Sequence, residues 1–310
     1  MWLVYALVTF LAWGAADLFY KKSADPSDRY SHLKTTIVVG LVMGITGIVN
    51  LAAKQIPYDF RNLLVYLPVS LMYILSMAVG YFGLRYLNVS VSSPIQNASG
   101  AVSAVLLMIV LKKLPDLFTG IAIVLVTAGV ILLGVAEREQ ALSEEVIPDR
   151  KHISGFRAIL IPVVYCVIDA LGTFFDGWFL DDVETTPLIG VTEETLEDVA
   201  NISYQLTFLI VALLLLLYLV LFRREKIVLK RQKDSLFAAL FETGGQLTYV
   251  YALSGNGVAA APVIGSYCVF SLILGCAVLK ERLNKKQGIA VGLVIAGIVI
   301  MGILEGIETL

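Results

Sequence analysis

Histidine and cysteine are nearly missing from this chain. The two histidines, His32 and His152, fall in connecting segments, and the three cysteines, Cys166, Cys268 and Cys276, fall inside long apolar runs. Neither a histidine-based site, nor a thiolate metal site, nor a disulfide framework is therefore expected. Charge is also scarce, at 15% against about 25% in soluble proteins, while 58% of the residues are hydrophobic. With a mean hydropathy of +0.84 the chain cannot be a soluble globule. No phosphate-cradling Gly-x-x-x-x-Gly-Lys loop occurs, which points away from ATP-driven work. The first apolar segment lacks a basic leader and a small-residue cleavage site, so it is expected to stay as a helix. No cofactor and no nucleic-acid partner are expected.

What the chain has is ten stretches long enough to span a bilayer, each near the roughly 20 apolar residues that crossing requires. They are expected at Trp2–Tyr20, Leu33–Ala53, Leu63–Tyr86, Val91–Leu111, Leu117–Ala136, Phe156–Leu180, Asn201–Phe222, Leu236–Leu253, Val258–Leu279 and Gln287–Leu304. It also repeats itself. In one ungapped frame offset by 168 residues, Tyr81, Asn88, Pro94, Ser103, Leu111, Lys112, Gly120, Ala128, Gly129 and Gly134 meet Tyr249, Asn256, Pro262, Ser271, Leu279, Lys280, Gly288, Ala296, Gly297 and Gly302. Pro, Asn and Lys are rare in spanning helices and do not align by composition alone. The first and sixth spans match at an offset of 159, placing Asp17 against Asp176. The expected fold is an all-α membrane protein of ten transmembrane helices. Residues 1–138 form one five-helix repeat, 139–155 a polar linker and 156–310 a second. With five spans each, the repeats enter the membrane in opposite senses, an inverted-topology design that transporters use to rock two halves about a midplane site.

Orientation follows from the loops. Nineteen of the 23 basic residues fall in the connections after odd-numbered spans, and only Lys54, Arg61, Lys112 and Lys113 fall on the other side. Positive loops stay in the cytoplasm, so both termini are expected outside, in a bacterial-type cytoplasmic membrane. The acidic connection between the sixth and seventh spans is read as a solvated external loop.

The residues resemble the ten-helix, EamA-type members of the drug/metabolite transporter superfamily. The resemblance rests on Trp13-Gly14 in the first span, on Val-Leu-Lys112-Lys113-Leu and Val-Leu-Lys280-Glu281-Arg-Leu ending the fourth and ninth, and on the glycine-opened spans that follow, Gly120 to Ala128-Gly129 and Gly288 to Ala296-Gly297. It implies a central cavity lined largely by spans one, three, four, six, eight and nine. Two features depart from the pattern. The family often carries a proline where this chain has Ala98-Ser99 and Ser266-Tyr267, and its termini are commonly cytoplasmic.

Every charge expected well inside a span is acidic: Asp17, Asp169, Asp176 and Glu242. A carboxylate there costs about 2.5–3.5 kcal/mol on insertion scales, so such acids tend to face a cavity, a partner or a proton path. Asp169 and Asp176 share a helix face with Gly172 between them, and Glu242, Gln246 and Tyr249 share another beside Gly244-Gly245. Trp13 lies one turn from Asp17, an indole beside a carboxylate that suits an organic cation. Tyr73, Tyr81, Gln96, Asn97, Phe175, Trp178, Tyr267 and Ser271 are further lining candidates. The same residues have blander roles available: Trp13 and Trp178 as packing aromatics, Gln96 and Asn97 as interhelical glue, Asp17 and Asp176 as acids reaching headgroups. Paired intramembrane aspartates can also make a protease, but motifs resembling Tyr-Asp and Gly-x-Gly-Asp are absent, and no enzyme is expected. The reading is a secondary active transporter of a small cationic or zwitterionic metabolite or drug, working by alternating access with proton coupling as one option. The alternative is a lipid or lipid-headgroup flippase on the same scaffold.

Overall fold

A computed structural model of the protein describes residues 1–23, 28–86, 98–143, 156–225, 232–279 and 283–308. Their regular structure is all helical, with no strand among them. The helices are α1 (Trp2–Ser23), α2 (Ser31–Lys54), a single turn α3 (Asn62–Val65), α4 (Leu67–Tyr86), α5 (Ser99–Leu111), α6 (Leu117–Ser143), α7 (Phe156–Phe179), α8 (Leu196–Leu217, closing in a π-turn over Tyr218–Phe222), α9 (Lys233–Gly265), α10 (Tyr267–Leu279) and α11 (Lys285–Glu308). Among the described residues, seven stretches are long and apolar enough to cross a membrane, one of them the 46-residue run Lys233–Val278. At about 1.5 Å per residue that run is far longer than one bilayer core of roughly 30 Å. It is interrupted twice. Asn256 leaves the helical region (φ −164°, ψ 81°), and its side chain accepts the amide N–H of Ala259 at 3.1 Å, restarting the helix beyond. The ladder stops again at Ser266, whose amide turns back to Pro262 and Val263.

The predicted ninth span is thus not one continuous helix. Its break falls where the family often carries a proline, and α5 likewise begins at Ser99, the equivalent place in the first half. The interruption persists here without a proline at the break itself. Pro94, Gln96, Asn97 and most of the polar linker lie outside the described residues, as does the side chain of Tyr81.

Polar side chains are buried within an apolar core while many large apolar side chains face outward, unlike in a soluble protein. Asp176, Gln205 and Gln246 are each 0% exposed, whereas Leu214, Leu221 and Phe222 are at least 60% exposed. Such an arrangement is stable only with hydrocarbon outside. Small residues let the helices meet closely. On α2, Gly40, Gly44 and Gly47 face Phe208, Leu209 and Gln205 of α8 so tightly that an added Cβ would fall within 3.0 Å of them. Gly129 of α6 presses on Ala290 and Val294 of α11, while Gly297 of α11 presses on Ala122 and Val126 of α6.

The acidic connection after α7 is better tied down than a solvated loop. The Asn62 side chain donates to the Ile189 carbonyl (3.0 Å) and accepts its N–H (2.8 Å). Lys54 pairs with Asp198 at 2.7 Å and Lys113 with Asp181 at 2.6 Å. On the opposite end, Lys34, one of the nineteen basic residues counted on that side, belongs to a helix. It lies inside α2, 7% exposed, and pairs with Asp28 (2.7 Å) and Glu225 (3.2 Å).

Candidate functional site

A cavity of about 220 Å³ opens in the middle of the bundle and runs along the last turns of α1 toward Lys21 and Glu137. α1 contributes Trp13, Asp17, Tyr20 and Lys21, positions that share a face because they are spaced three to four apart. α4 supplies Tyr73, Ser76, Met77 and Gly80; α7 supplies Tyr165, Asp169 and Thr173; α9 supplies Glu242, Tyr249 and the turn ending at Gly265. Ser99 and Gly100 of α5, Glu137 of α6, Tyr204 of α8, and Tyr267 and Cys268 of α10 complete the wall.

Four carboxylates reach this space, and all four are half-buried: Asp17, Glu137, Asp169 and Glu242. Asp169 accepts a hydrogen bond from Ser76 at 3.2 Å. Asp17 pairs with Lys21 at 3.0 Å and accepts from the Ser271 hydroxyl, to which Lys21 also donates at 3.3 Å. Glu242 lies beside the Tyr20 hydroxyl and within electrostatic reach of Asp169 and Asp17. Lys21 corrects the expectation that the interior holds no base. Counted with the first connection, it lies one turn beyond Asp17 inside α1, and its ammonium neutralises that end of the site.

Aromatic rings make the rest of the wall. The Trp13 indole leans on Tyr249 with centroids 4.9 Å apart and meets the edge of Tyr267 at 6.1 Å. Its N–H donates to the Glu242 backbone carbonyl at 3.3 Å. Trp13 can sit so close to α9 because Gly245 has no side chain, since a Cβ there would fall 2.4 Å from the indole. Gly244 has nothing within 4 Å and takes no part in the contact. The closed end of the cavity is a hydroxyl cluster. Tyr73 donates to Thr173 at 3.1 Å and bonds the Tyr249 hydroxyl, joining α4, α7 and α9.

Of the sequence candidates, Trp13, Asp17, Asp169, Glu242, Tyr249 and Tyr267 come together in the cavity, with Tyr73. Asp176 and Gln246 do not line it. Both are fully buried, because their helix faces turn past the hydroxyl cluster and into the core. Gln96 and Asn97 lie outside the described residues, and nothing of the Tyr81 side chain is described. Ser271 stands behind Asp17 rather than on the wall. Trp178, 38% exposed, stacks on Phe174 at the bundle surface. The sequence reading missed Tyr20, Lys21, Ser76, Thr173 and Tyr204. Tyr20 and Thr173 had a signal, since they stand three and four residues from Asp17 and Asp169. For Tyr204 the only hint was the polar patch Asn201 to Gln205 within an apolar span, which was not assigned to the cavity. Among the described residues, no three His, Cys, Asp or Glu gather closely enough to hold a metal ion.

Comparison with known proteins adds one family and one fold. A model of the EamA-like transporter family matches residues 1–135 and 191–303. One crystal structure of a protein superimposes with a TM-score of 0.68 at 13% identity. It covers 98% of this chain and 96% of its own. At that identity it shows a shared fold alone. No curated protein sequence matches the chain.

Proposed function

The chain belongs to the EamA-like transporter family, and from that premise we propose that it is a secondary transporter of a small organic cation or zwitterion across the membrane in which it is embedded. The observation that carries this reading is the pairing of carboxylates with aromatic faces in one cavity. Asp17 already has Lys21 as its partner, which leaves Glu242 and Asp169 as acids without a bonded cation among the described residues. An ammonium group between them and the Trp13 and Tyr249 rings would gain both charge and ring-quadrupole attraction, worth about 2 kcal/mol or more for the rings when water is excluded. Lys21, at the wide end, suits the carboxylate of a zwitterion. A phosphate-bearing anion suits the site poorly, because four carboxylates line it.

Alternating access on two inverted five-helix repeats is the mechanism this reading takes. Several contacts support it. The partners of Gly129 and Gly297 interchange when 168 is added or subtracted, as Ala122 becomes Ala290 and Val126 becomes Val294. α1 rests on α9 as α7 rests on α4, and α10 lies on α1 as α5 lies on α7. Counting the Lys233–Val278 run as two spans and adding the shorter helices Leu67–Gly80 and Ser99–Leu111 gives the ten spans of that design. By the loop charges, the cavity faces the cytoplasm.

The test is the thermal unfolding midpoint of detergent-purified protein against small cations, zwitterions, anions and lipid headgroups. A ligand at one hundred times its Kd stabilises by about 2.7 kcal/mol. Cations or zwitterions should raise the midpoint, and Glu242→Gln should remove most of the rise. Stabilisation by lipid headgroups or anions alone would move the protein to the flippase reading.

A further inference from the structure

Asp176 is a carboxyl that the cavity does not use. It sits two turns beyond Asp169 on α7, is 0% exposed, and accepts a hydrogen bond from Tyr66 on one oxygen. Its other oxygen, Oδ2, has no partner among the described residues. No Lys, Arg or His pairs with it there. The ionisable groups that face it are all tyrosines: Tyr66 from the bend before α4, Tyr73 from α4, Tyr204 from α8 and Tyr249 from α9. One turn away, between Asp176 and the cavity, stands the hydroxyl cluster of Tyr73, Thr173 and Tyr249.

A sealed carboxylate with one hydroxyl donor and no cation would be left largely uncompensated. A neutral carboxyl in the same place leaves one uncharged O–H unmet, a far smaller penalty than an unpaired charge. The neutral form therefore wins while the cluster is closed. We propose that Asp176 is a proton-carrying site, separated from the substrate cavity by the Tyr73–Thr173–Tyr249 cluster, which holds its proton in this conformation and gives it up when that cluster opens. On opening, water takes the proton as hydronium and leaves a hydrated carboxylate. Before the cluster closes again, a proton must return from water to Asp176. This rests on the transporter reading, since only a cycle that opens the cluster gives the proton anywhere to go. It assigns the proton and the substrate to different carboxyls.

Infrared spectroscopy of the full chain in liposomes, with no ligand added, tests it. A protonated carboxyl shows a carbonyl stretch that a carboxylate lacks. At neutral pH that band should be present in the wild type and in Glu242→Gln and lost in Asp176→Asn. Aspartate labelled with carbon-13 should shift it in the unaltered chain, a readout that does not depend on a variant folding. In heavy water the band should exchange slowly in the wild type and faster in Tyr249→Phe. A spectrum unchanged by Asp176→Asn, or a band that carbon-13 aspartate leaves in place, overturns the proton site. Exchange equally fast with and without the Tyr249 hydroxyl overturns the separation. Because no ligand is used, a missing band leaves the substrate reading standing, and a ligand panel without hits leaves this one standing.

Discussion

Trp13 owes its place to the absence of a neighbour's side chain. Gly245 leaves room for the indole on α9, and a methyl group there would collide with it at 2.4 Å. Gly245→Ala is therefore expected to displace Trp13 from Tyr249, destabilise by about 1–3 kcal/mol as overpacking does, and weaken any cation that the cavity binds. Gly244→Ala, with open space around it, should leave both the thermal midpoint and binding as they are. If the two variants behave alike, the indole is not held by this contact. The sequence showed the Gly244-Gly245 pair but not which member mattered, because that depends on how α9 is rotated against α1. The same holds for the acids. Spacing placed Asp169 and Asp176 on one face, but two turns of helix carried one into the cavity and the other into the core. Lys21 was hidden for a different reason. A lysine after an apolar run reads as a helix end, whereas α1 continues to Ser23 and the flexible lysine chain returns to Asp17.

Helix ends carry a second expectation. α6 starts at Leu117, immediately after Asp116, whose carboxylate accepts the backbone N–H groups of Phe118 (2.9 Å) and Thr119 (3.2 Å). Bonding to Thr119 holds the Asp116 carboxyl below its ordinary value. A depressed folded value means that the cap stabilises the protein above the unfolded pKa of about 3.9 and that the benefit is lost as pH falls through the folded one. Asp116→Ala should lower the thermal midpoint at neutral pH, and the difference from wild type should fade in strong acid. A gap independent of pH would mean that the carboxylate is not the cap. At this scale the sequence was most informative where polar punctuation is dense. Asn256-Gly257 separates the predicted eighth and ninth spans, and the backbone does leave the helix at Asn256. The second break was invisible to hydropathy, because Ser266 sits in an unbroken apolar run. Only the family's habit of placing a proline near there hinted at it.

Across the whole molecule, basic residues on the side of Lys54 and Lys113 are few, and these two pair with Asp198 in the first turn of α8 and Asp181 just after α7, whereas the other side carries the excess. In a variant lacking Cys166, Cys268 and Cys276, a membrane-impermeant maleimide applied to intact cells should label Glu193→Cys and not Lys285→Cys. The reverse pattern would put the termini in the cytoplasm and turn the cavity outward. The all-helical, membrane-spanning character was legible because every span must satisfy the same bilayer. The cavity was less so, because three-dimensional rotation of each helix leaves no mark on a hydropathy plot. Under the proposed repeat, Asp17 and Asp176 would hold equivalent positions, and their circumstances are opposite: one reaches the cavity beside a lysine, the other is sealed beside a tyrosine. A rocking motion would then trade their surroundings, wetting one carboxyl as it dries the other. The molecule would keep a constant count of solvated acids through its cycle, with the identity of the dry one recording which way it faces.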